Sequence, residues 1–338
     1  MTTIKDVALR AGVAPSTVSY VLSGSRKISE ETRQAVQTAI DELGYHPRAS
    51  ARSLRSTRTN VIALALPRVP GGYHRSVDGR FAIEICDAAR RHDYDVLLMT
   101  DQHGVPGLRR IAGSGLADAA ILMAVELEDP RVEAMREIGF PTALLGSPSG
   151  EVGLPWTDLD WEAAAALAVH EAAVAGHRRI AYLATTEHEI LARRGYAVLG
   201  VAGARRAGDE TGAQVTIHDS TSDMVRLDGR LRSLLTAPDA PTALVVQHVS
   251  ALPHILAACT AAGRRIPEDL WVFAVGNLPD DMGGRELPRI ELPISELADE
   301  VTRLAVQAIA DHATQHTARE PAGHRRLSPV LLPPRAVS

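Results

Sequence analysis

The sequence predicts a small all-helical head carrying a helix-turn-helix, followed by an α/β body of doubly wound parallel sheets. Three observations lead there. Over the first sixty residues, apolar side chains recur at helical spacing between capping and breaking residues. From Asn60 onward, short apolar runs alternate with amphipathic or alanine-rich stretches of ten to fifteen residues, the pattern of strands alternating with helices. Charge divides at the same place: residues 1–60 hold nine Lys or Arg against five Asp or Glu, and the remainder holds 27 against 36. The net charge of −5 therefore conceals a basic module fused to an acidic body.

In the head, Thr3 and Asp6 form a capping box before Ile4, Val7, Ala8 and Ala11, and Gly12 suits the left-handed C′ position. After a two-residue turn, Pro15 can open a second helix with Val18, Val21 and Leu22 inward, ended by Ser23-Gly24. Ser29 caps a third helix; Glu30 and Glu31 complement its dipole, and Val36, Ala39, Ile40 and Leu43 face inward. Such a unit presents the outer face of its second helix to the DNA major groove, here Pro15, Ser16, Ser19 and Tyr20. A plain three-helix bundle would show the same periodicity. Next, Arg48, Arg52, Arg55 and Arg58 would share one face of a helix, although from the residues alone a solvated basic linker is the favoured reading.

In the body, the strand candidates are Val61 to Leu66, Asp95 to Met99, Ala119 to Met123, Thr142 to Leu145, Arg179 to Leu183, Ala213 to Ile217, Thr242 to Val246 and Leu270 to Val275. Helices are expected between them, among them Phe81 to His92, Trp161 to Ala175, Met224 to Leu235 and Ser250 to Ala262. Eight or more strands suit two lobes.

Composition excludes several classes. A chain of 338 residues, 45% hydrophobic and 23% charged, is neither disordered nor fibrous. Apolar runs such as Ala119 to Val125 fall well short of the ~18 residues of a membrane span, and no signal-peptide pattern opens the chain, so the cytoplasm is the expected location. Cys86 and Cys259, in apolar contexts without CxxC spacing, read as buried free thiols. Gly113-Ser114-Gly115 lacks the third glycine of a dinucleotide fingerprint and precedes a strand instead of following one. His312 and His316 have helical spacing but no third metal ligand. With no P-loop or nucleophile elbow either, the expectation is a non-enzyme with no cofactor and no metal.

The runs Thr3-Ile4-Lys5-Asp6-Val7-Ala8, Ala11-Gly12-Val13, Thr17-Val18-Ser19, Ser29-Glu30-Glu31-Thr32-Arg33, Leu43-Gly44-Tyr45 and Pro47 occur in order and without gaps. They resemble the DNA-binding head of the lac repressor family. Looser similarity continues in Gly176-His177-Arg178-Arg179-Ile180-Ala181, Ile266-Pro267-Glu268-Asp269-Leu270 and Leu331-Leu332-Pro333-Pro334. The resemblance implies a DNA-binding domain at 1–46, a hinge helix at 47–59 and a body at 60–334 of two Rossmann-like lobes resembling periplasmic binding proteins. The first lobe would hold 60–157 and 288–317, the second 158–287 and 318–334, with crossings near Asp158, Leu287 and Thr317. It implies a homodimer on a near-palindromic operator, acting as a repressor. Base readers would fall on Pro15, Ser16 and Tyr20, and phosphate or positioning contacts on Ile4, Thr17, Ser19, Lys27 and Ser29. Ala51 and Leu54 match the hinge positions that enter the minor groove, where an apolar wedge kinks the duplex. Two departures stand out: Tyr20 replaces the usual Arg, and Ala14 replaces a Ser N-cap, a loss of roughly 0.5–2 kcal/mol that Pro15 offsets in part.

Ligands of such folds sit between the lobes at the strand ends. There this sequence departs further. The residue three before Gly195-Tyr196 is Ala192 and not the family's Arg, with Arg193 and Arg194 out of register; Asn-Asp is Gln247-His248; Gly-aromatic-Asp-Asp is Gly276-Asn277-Leu278-Pro279; Asp160 is followed by Trp161. Two readings stay open. One is an effector that is not a typical free sugar, meeting Tyr73, His74, Asp160, Trp161, Arg193, Gln247 and Asn277. The other is a body that has lost small-molecule sensing and serves dimerisation or protein contacts. A periplasmic-type binding protein is a third, remoter alternative.

Overall fold

A computed structural model describes residues 2–23, 26–45, 58–66, 76–100, 104–280, 282, 286–314 and 323–333. The head is three helices, α1 (Ile4–Ala11), α2 (Pro15–Ser23) and α3 (Glu30–Leu43). Thr3 and Asp6 form the capping box, Ser29 accepts from the Thr32 amide, and Gly12 and Gly44 end α1 and α3 in the left-handed conformation. Val7, Ala8, Val18, Val36 and Ala39 make the small buried core. No side-chain cap accompanies α2; the Ala14 carbonyl accepts from the Thr17 and Val18 amides instead.

The body holds two six-stranded sheets. The first contains β1 (Val61–Ala65), β2 (Asp95–Met99), β3 (Ala119–Met123), β4 (Thr142–Leu145), β5 (Trp156–Leu159) and β11 (His324–Leu327), in the order β11-β5-β4-β3-β1-β2. The second contains β6 (Arg179–Thr186), β7 (Gln214–Ser220), β8 (Ala243–Val246), β9 (Trp271–Val275), β10 (Arg289–Glu291) and β12 (Val330–Leu332), in the order β12-β10-β9-β8-β6-β7. Every pairing is parallel except β10 with β12. Alternate residues of the first sheet separate cleanly: Ile62, Leu64, Ile121 and Leu145 face one helical layer, and Ala63, Ala120, Leu122 and Leu144 the other.

Four described helices cover the first lobe or link its strands: α4 (Ser76–Arg90), α5 (Val105–Ser114), α6 (Pro130–Ile138) and, late in the chain, α12 (Ile294–Ala313), which packs on α4 and on β3 to β5; α7 (Trp161–Val174) begins the second lobe. There α8 (Glu187–Leu191), α9 (Gly195–Thr211), α10 (Met224–Thr236) and α11 (Leu252–Ala261) complete the layers. One apolar core runs from Phe81 and Ile85 in the first lobe to Val169, Tyr182 and Phe273 in the second.

The crossing points need correction. The chain passes from the first sheet to α7 after Leu159, close to the expected Asp158. The second crossing lies between Glu291 and Ile294, since β10 still pairs with β9, and not at Leu287. The third lies at Ser328–Pro329, because β11 pairs with β5 of the first sheet. Thr317, where it was expected, falls outside the described residues. Arg289–Glu291 and His324–Leu327 are short and carry charge, so neither shows the apolar run that marks a buried strand. Gly113-Ser114-Gly115 ends α5, with Gly115 as its left-handed cap. Cys259 is a buried free thiol, whereas Cys86 is only half-buried.

Candidate functional site

Two places carry the candidate residues: the outer face of α2 and the crevice between the lobes. On α2, Pro15, Ser16 and Tyr20 are exposed and Thr17 is half-buried beside the core residue Val18. Lys27 and Ser29 are exposed at the start of α3, and Ile4 packs its flank on the core. Ser19 departs from expectation. It is 8% exposed, because its position one residue past Val18 turns it under the other two helices. Sequence reasoning missed Arg26, whose guanidinium lies over the Tyr20 ring at 5.7 Å from the centroid, a cation–π contact on the face where the family carries Arg. Ala51 and Leu54 lie outside the described residues. The linker's exit is fixed by Asp118, whose carboxylate accepts from the Thr59 amide and hydroxyl at 2.7 and 2.8 Å and from the Asn60 amide at 2.8 Å.

The crevice is a cavity of about 650 Å³ where the C-terminal ends of both sheets meet. The first lobe contributes Leu145, Gly146 and Asp158 from strand ends and Asp78, Arg80 and Phe81 from the start of α4. Across from them stand Thr185, Gln247, His248 and Asn277, each at the end of a strand, with Glu189 and Tyr196 beside them. Trp161 and Tyr196 pack as a tilted aromatic pair, 5.9 Å apart.

Most polar groups in the crevice are bonded to one another. Asp158 accepts from the Ser147 amide and hydroxyl, the Leu159 amide and the Trp161 indole, all at 2.8–2.9 Å. Burial pushes its carboxyl up to about 6, against the opposing pull of those donors. Gln247 accepts from the Tyr182 hydroxyl at 3.0 Å and donates to the Tyr196 carbonyl at 2.8 Å. Burial drives the Tyr182 phenol far above its ordinary range. Asn277 bonds the Leu292 backbone in both directions, at 3.1 and 2.8 Å, tying the loop after β9 to the second crossing.

Trp161, Gln247 and Asn277 thus line the crevice. Asp160 does not; it caps α7 by accepting from the Ala163 amide, and Asp158 two residues earlier is the carboxylate that lines the cavity. Arg193 is also displaced. With φ +52° its side chain turns outward to Glu128 at 2.9 Å, one half of a clasp between the lobes. Backbone bonds complete it: Leu127 N to Arg193 O at 2.9 Å and Gly195 N to Val125 O at 3.0 Å. A Cβ on Gly195 would stand 2.7 Å from the Ser147 carbonyl, so only glycine permits this approach. Tyr73 and His74 lie outside the described residues. Asp78, Arg80, Asp158, Thr185, Glu189, His248 and Asp280 were missed, since strand-end residues far apart in sequence share no spacing signal. The start of α4 was the one local clue, with Asp78 on the first turn of an amphipathic helix and Arg80 two residues on.

Among the described residues no helix is long and apolar enough to cross a membrane, and no cluster of three or more His, Cys, Asp or Glu is placed to hold a metal. Comparison with known proteins matches residues 3–48 to the family of bacterial regulatory proteins of the lacI type and residues 169–331 to the periplasmic binding protein-like domain. The transcriptional regulator CelR of Thermobifida fusca is 29% identical over 328 residues, 93% of each chain, and catabolite control protein A of Priestia megaterium is 26% identical, covering 81% of this chain and 82% of its own. Among solved structures, a CelR–cellobiose complex aligns over 98% of both chains at 26% identity and TM-score 0.66. The lac repressor dimer bound to operator and an anti-inducer has the same fold, with TM-score 0.81 over 98% of both chains at 20% identity. A lacI-type head joined to two parallel-sheet lobes, in a chain similar over 93% of its length to a transcriptional regulator, is the domain organisation of the lac repressor family of DNA-binding transcriptional regulators.

Proposed function

We propose that the chain is a repressor that binds a near-palindromic operator as a homodimer and is released by a small molecule held between its lobes. The observation that carries the DNA half is the outer face of α2. Pro15, Ser16 and Tyr20 stand exposed there on a head whose buried core fixes their direction, with Arg26 stacked on Tyr20. In this reading these residues meet base edges, Ile4, Thr17, Lys27 and Ser29 position the head on phosphates, and Ala51 and Leu54 enter the minor groove. Ser19, being buried, acts by packing α2. The protein works as a cytoplasmic regulator without catalysis, cofactor or metal.

The crevice supports the sensing half. Its size suits a small molecule, and its position where two lobes meet lets occupancy bias their relative orientation. CelR is known in complex with cellobiose, so disaccharides belong in any ligand panel. We infer an effector other than a typical free sugar, because Trp161, Gln247 and Asn277, which stand where the family's sugar-binding side chains would be, have their donors engaged by the protein itself. An electrophoretic shift with the 5′ region of the protein's own gene tests the DNA half. A salt-sensitive, sequence-selective complex with two half-sites is expected; its absence with the full chain overturns the regulator reading. Leu54→Ala should retain half-site contacts while weakening specific binding sharply.

A further inference from the structure

Most polar side chains in the crevice wall are occupied by the protein itself. Asp158 holds four donors. Glu189 accepts from the Thr186 amide and hydroxyl at 3.0 and 2.9 Å and from the Tyr196 hydroxyl at 2.6 Å. Gln247 bridges the Tyr182 hydroxyl and the Tyr196 carbonyl, and Asn277 is bonded in both directions to the Leu292 backbone. His248 Nδ1 pairs with the Ser220 hydroxyl at 2.6 Å, and Asp78 is engaged as well. These bonds hold strand ends and helix starts in place, so turning one of them toward a ligand would leave a buried protein group unpaired. Arg80 and Asp280, opposite in sign, also line the cavity but are exposed to water, where a charge contributes little.

Apolar surface and one hydroxyl are left for a ligand. Phe81, Met123 and Leu145 line the cavity from the first lobe and Val249, Val275 and Leu278 from the second, with the tilted pair of Trp161 and Tyr196 beside them. Thr185 differs from its polar neighbours. It is 5% exposed and lines the same cavity, and its hydroxyl has no hydrogen-bond partner. A polyol would set several hydroxyls against these walls, each giving up water with nothing to replace it. A flat aromatic molecule gains instead by leaving water, and its rings can pack against Trp161 and Tyr196. One oxygen is enough for Thr185, whose hydroxyl can donate or accept.

We propose that the crevice takes a neutral, largely apolar aromatic molecule, its rings against Trp161 and Tyr196 and a single hydrogen-bonding oxygen at the Thr185 hydroxyl. This inference rests on the reading of the crevice as an effector site. Calorimetry on the full chain should compare 2-naphthol with naphthalene, which lacks the oxygen, and with glucose and cellobiose. 2-Naphthol should bind at least tenfold more tightly than either sugar, with the negative heat-capacity change of apolar burial. Thr185→Val, nearly the same in shape, should weaken 2-naphthol about fivefold and leave naphthalene unchanged. Leu278→Ser, on the loop after β9, should weaken both aromatics. Glucose or cellobiose binding as tightly as 2-naphthol, or more tightly, overturns the proposal while leaving the effector site standing. Naphthalene binding as tightly as 2-naphthol, or 2-naphthol affinity unchanged in Thr185→Val, overturns it as well. If neither aromatic and neither sugar binds, the effector-site reading falls with it.

Discussion

The head and the crevice hold their polar side chains in opposite ways. On α2, Pro15, Ser16 and Tyr20 project from a core of five small buried residues and make their contacts outward. In the crevice, Asp158, Glu189, Gln247 and Asn277 are bonded back into the protein, and the buried Thr185 hydroxyl is left facing the cavity. DNA presents a fixed geometry, so the head can keep a local, repeated pattern of side chains. A crevice that takes a small molecule is assembled from the ends of many strands, and each replaced side chain rewires its neighbours. The two regions can therefore diverge at different rates within one chain.

That contrast can be broken or sharpened by four measurements. The largest effect is expected at Gly203 in α9, where a Cβ would stand 2.0 Å from the Glu162 carbonyl of α7. Gly203→Ala must push two helices of the second lobe apart and should cost several kcal/mol, roughly 10 °C in the midpoint of the body's thermal unfolding. An unchanged midpoint would show that the helix contact is slack.

Next comes pH. Asp158 ionises at about 6 in the folded chain against 3.8 for an ordinary carboxyl. It binds its proton more tightly when folded, so stability should fall as pH rises from about 4 to about 6 and level off above, by on the order of 2–3 kcal/mol. Asp158→Asn should remove that arm of a denaturant-midpoint profile; an identical profile in the variant would assign the titration elsewhere. The head has no buried carboxylate among its described residues, so its own melting should lack this arm.

Tyr20→Ala should lower operator affinity about 10-fold to 30-fold, roughly 1–2 kcal/mol, with little change on unrelated DNA. Equal losses on both would make Tyr20 a backbone contact. The smallest effect is expected from Lys27→Ala: a modest, sequence-independent loss and a salt dependence shallower by about one unit of slope, read from binding isotherms at several salt concentrations.

The head was legible in sequence because its signals are local. Thr3 with Asp6, Gly12, Pro15, Ser29 and Gly44 sit within a few residues of the helix ends they define. Ser19 was misplaced because one residue, about 100° of helical turn, separates the outer face from the core. In the body, the central strands were legible as apolar runs, but β5, β10 and β11, short and partly charged, and β12, only three residues long, were not. The crevice was least legible. Asp160 and Asp158 look equivalent in sequence, and only the turn into α7 decides which caps the helix and which faces the cavity. Arg193 was displaced by its left-handed backbone, a feature no residue pattern announces.

The tail of the body joins β11 of one sheet to β12 of the other through only Ser328 and Pro329. Each strand is the outermost of its sheet, so a single stretch of about ten residues finishes two hydrogen-bonded ladders at once. Detaching it would bare an unpaired edge on both β5 and β10, and the failure would be collective: two lobes made adhesive together, each able to recruit strands from other chains. The segment thus acts as a common safeguard against edge-to-edge aggregation, and damage there should surface as insolubility before it surfaces as a weakened response to DNA or ligand.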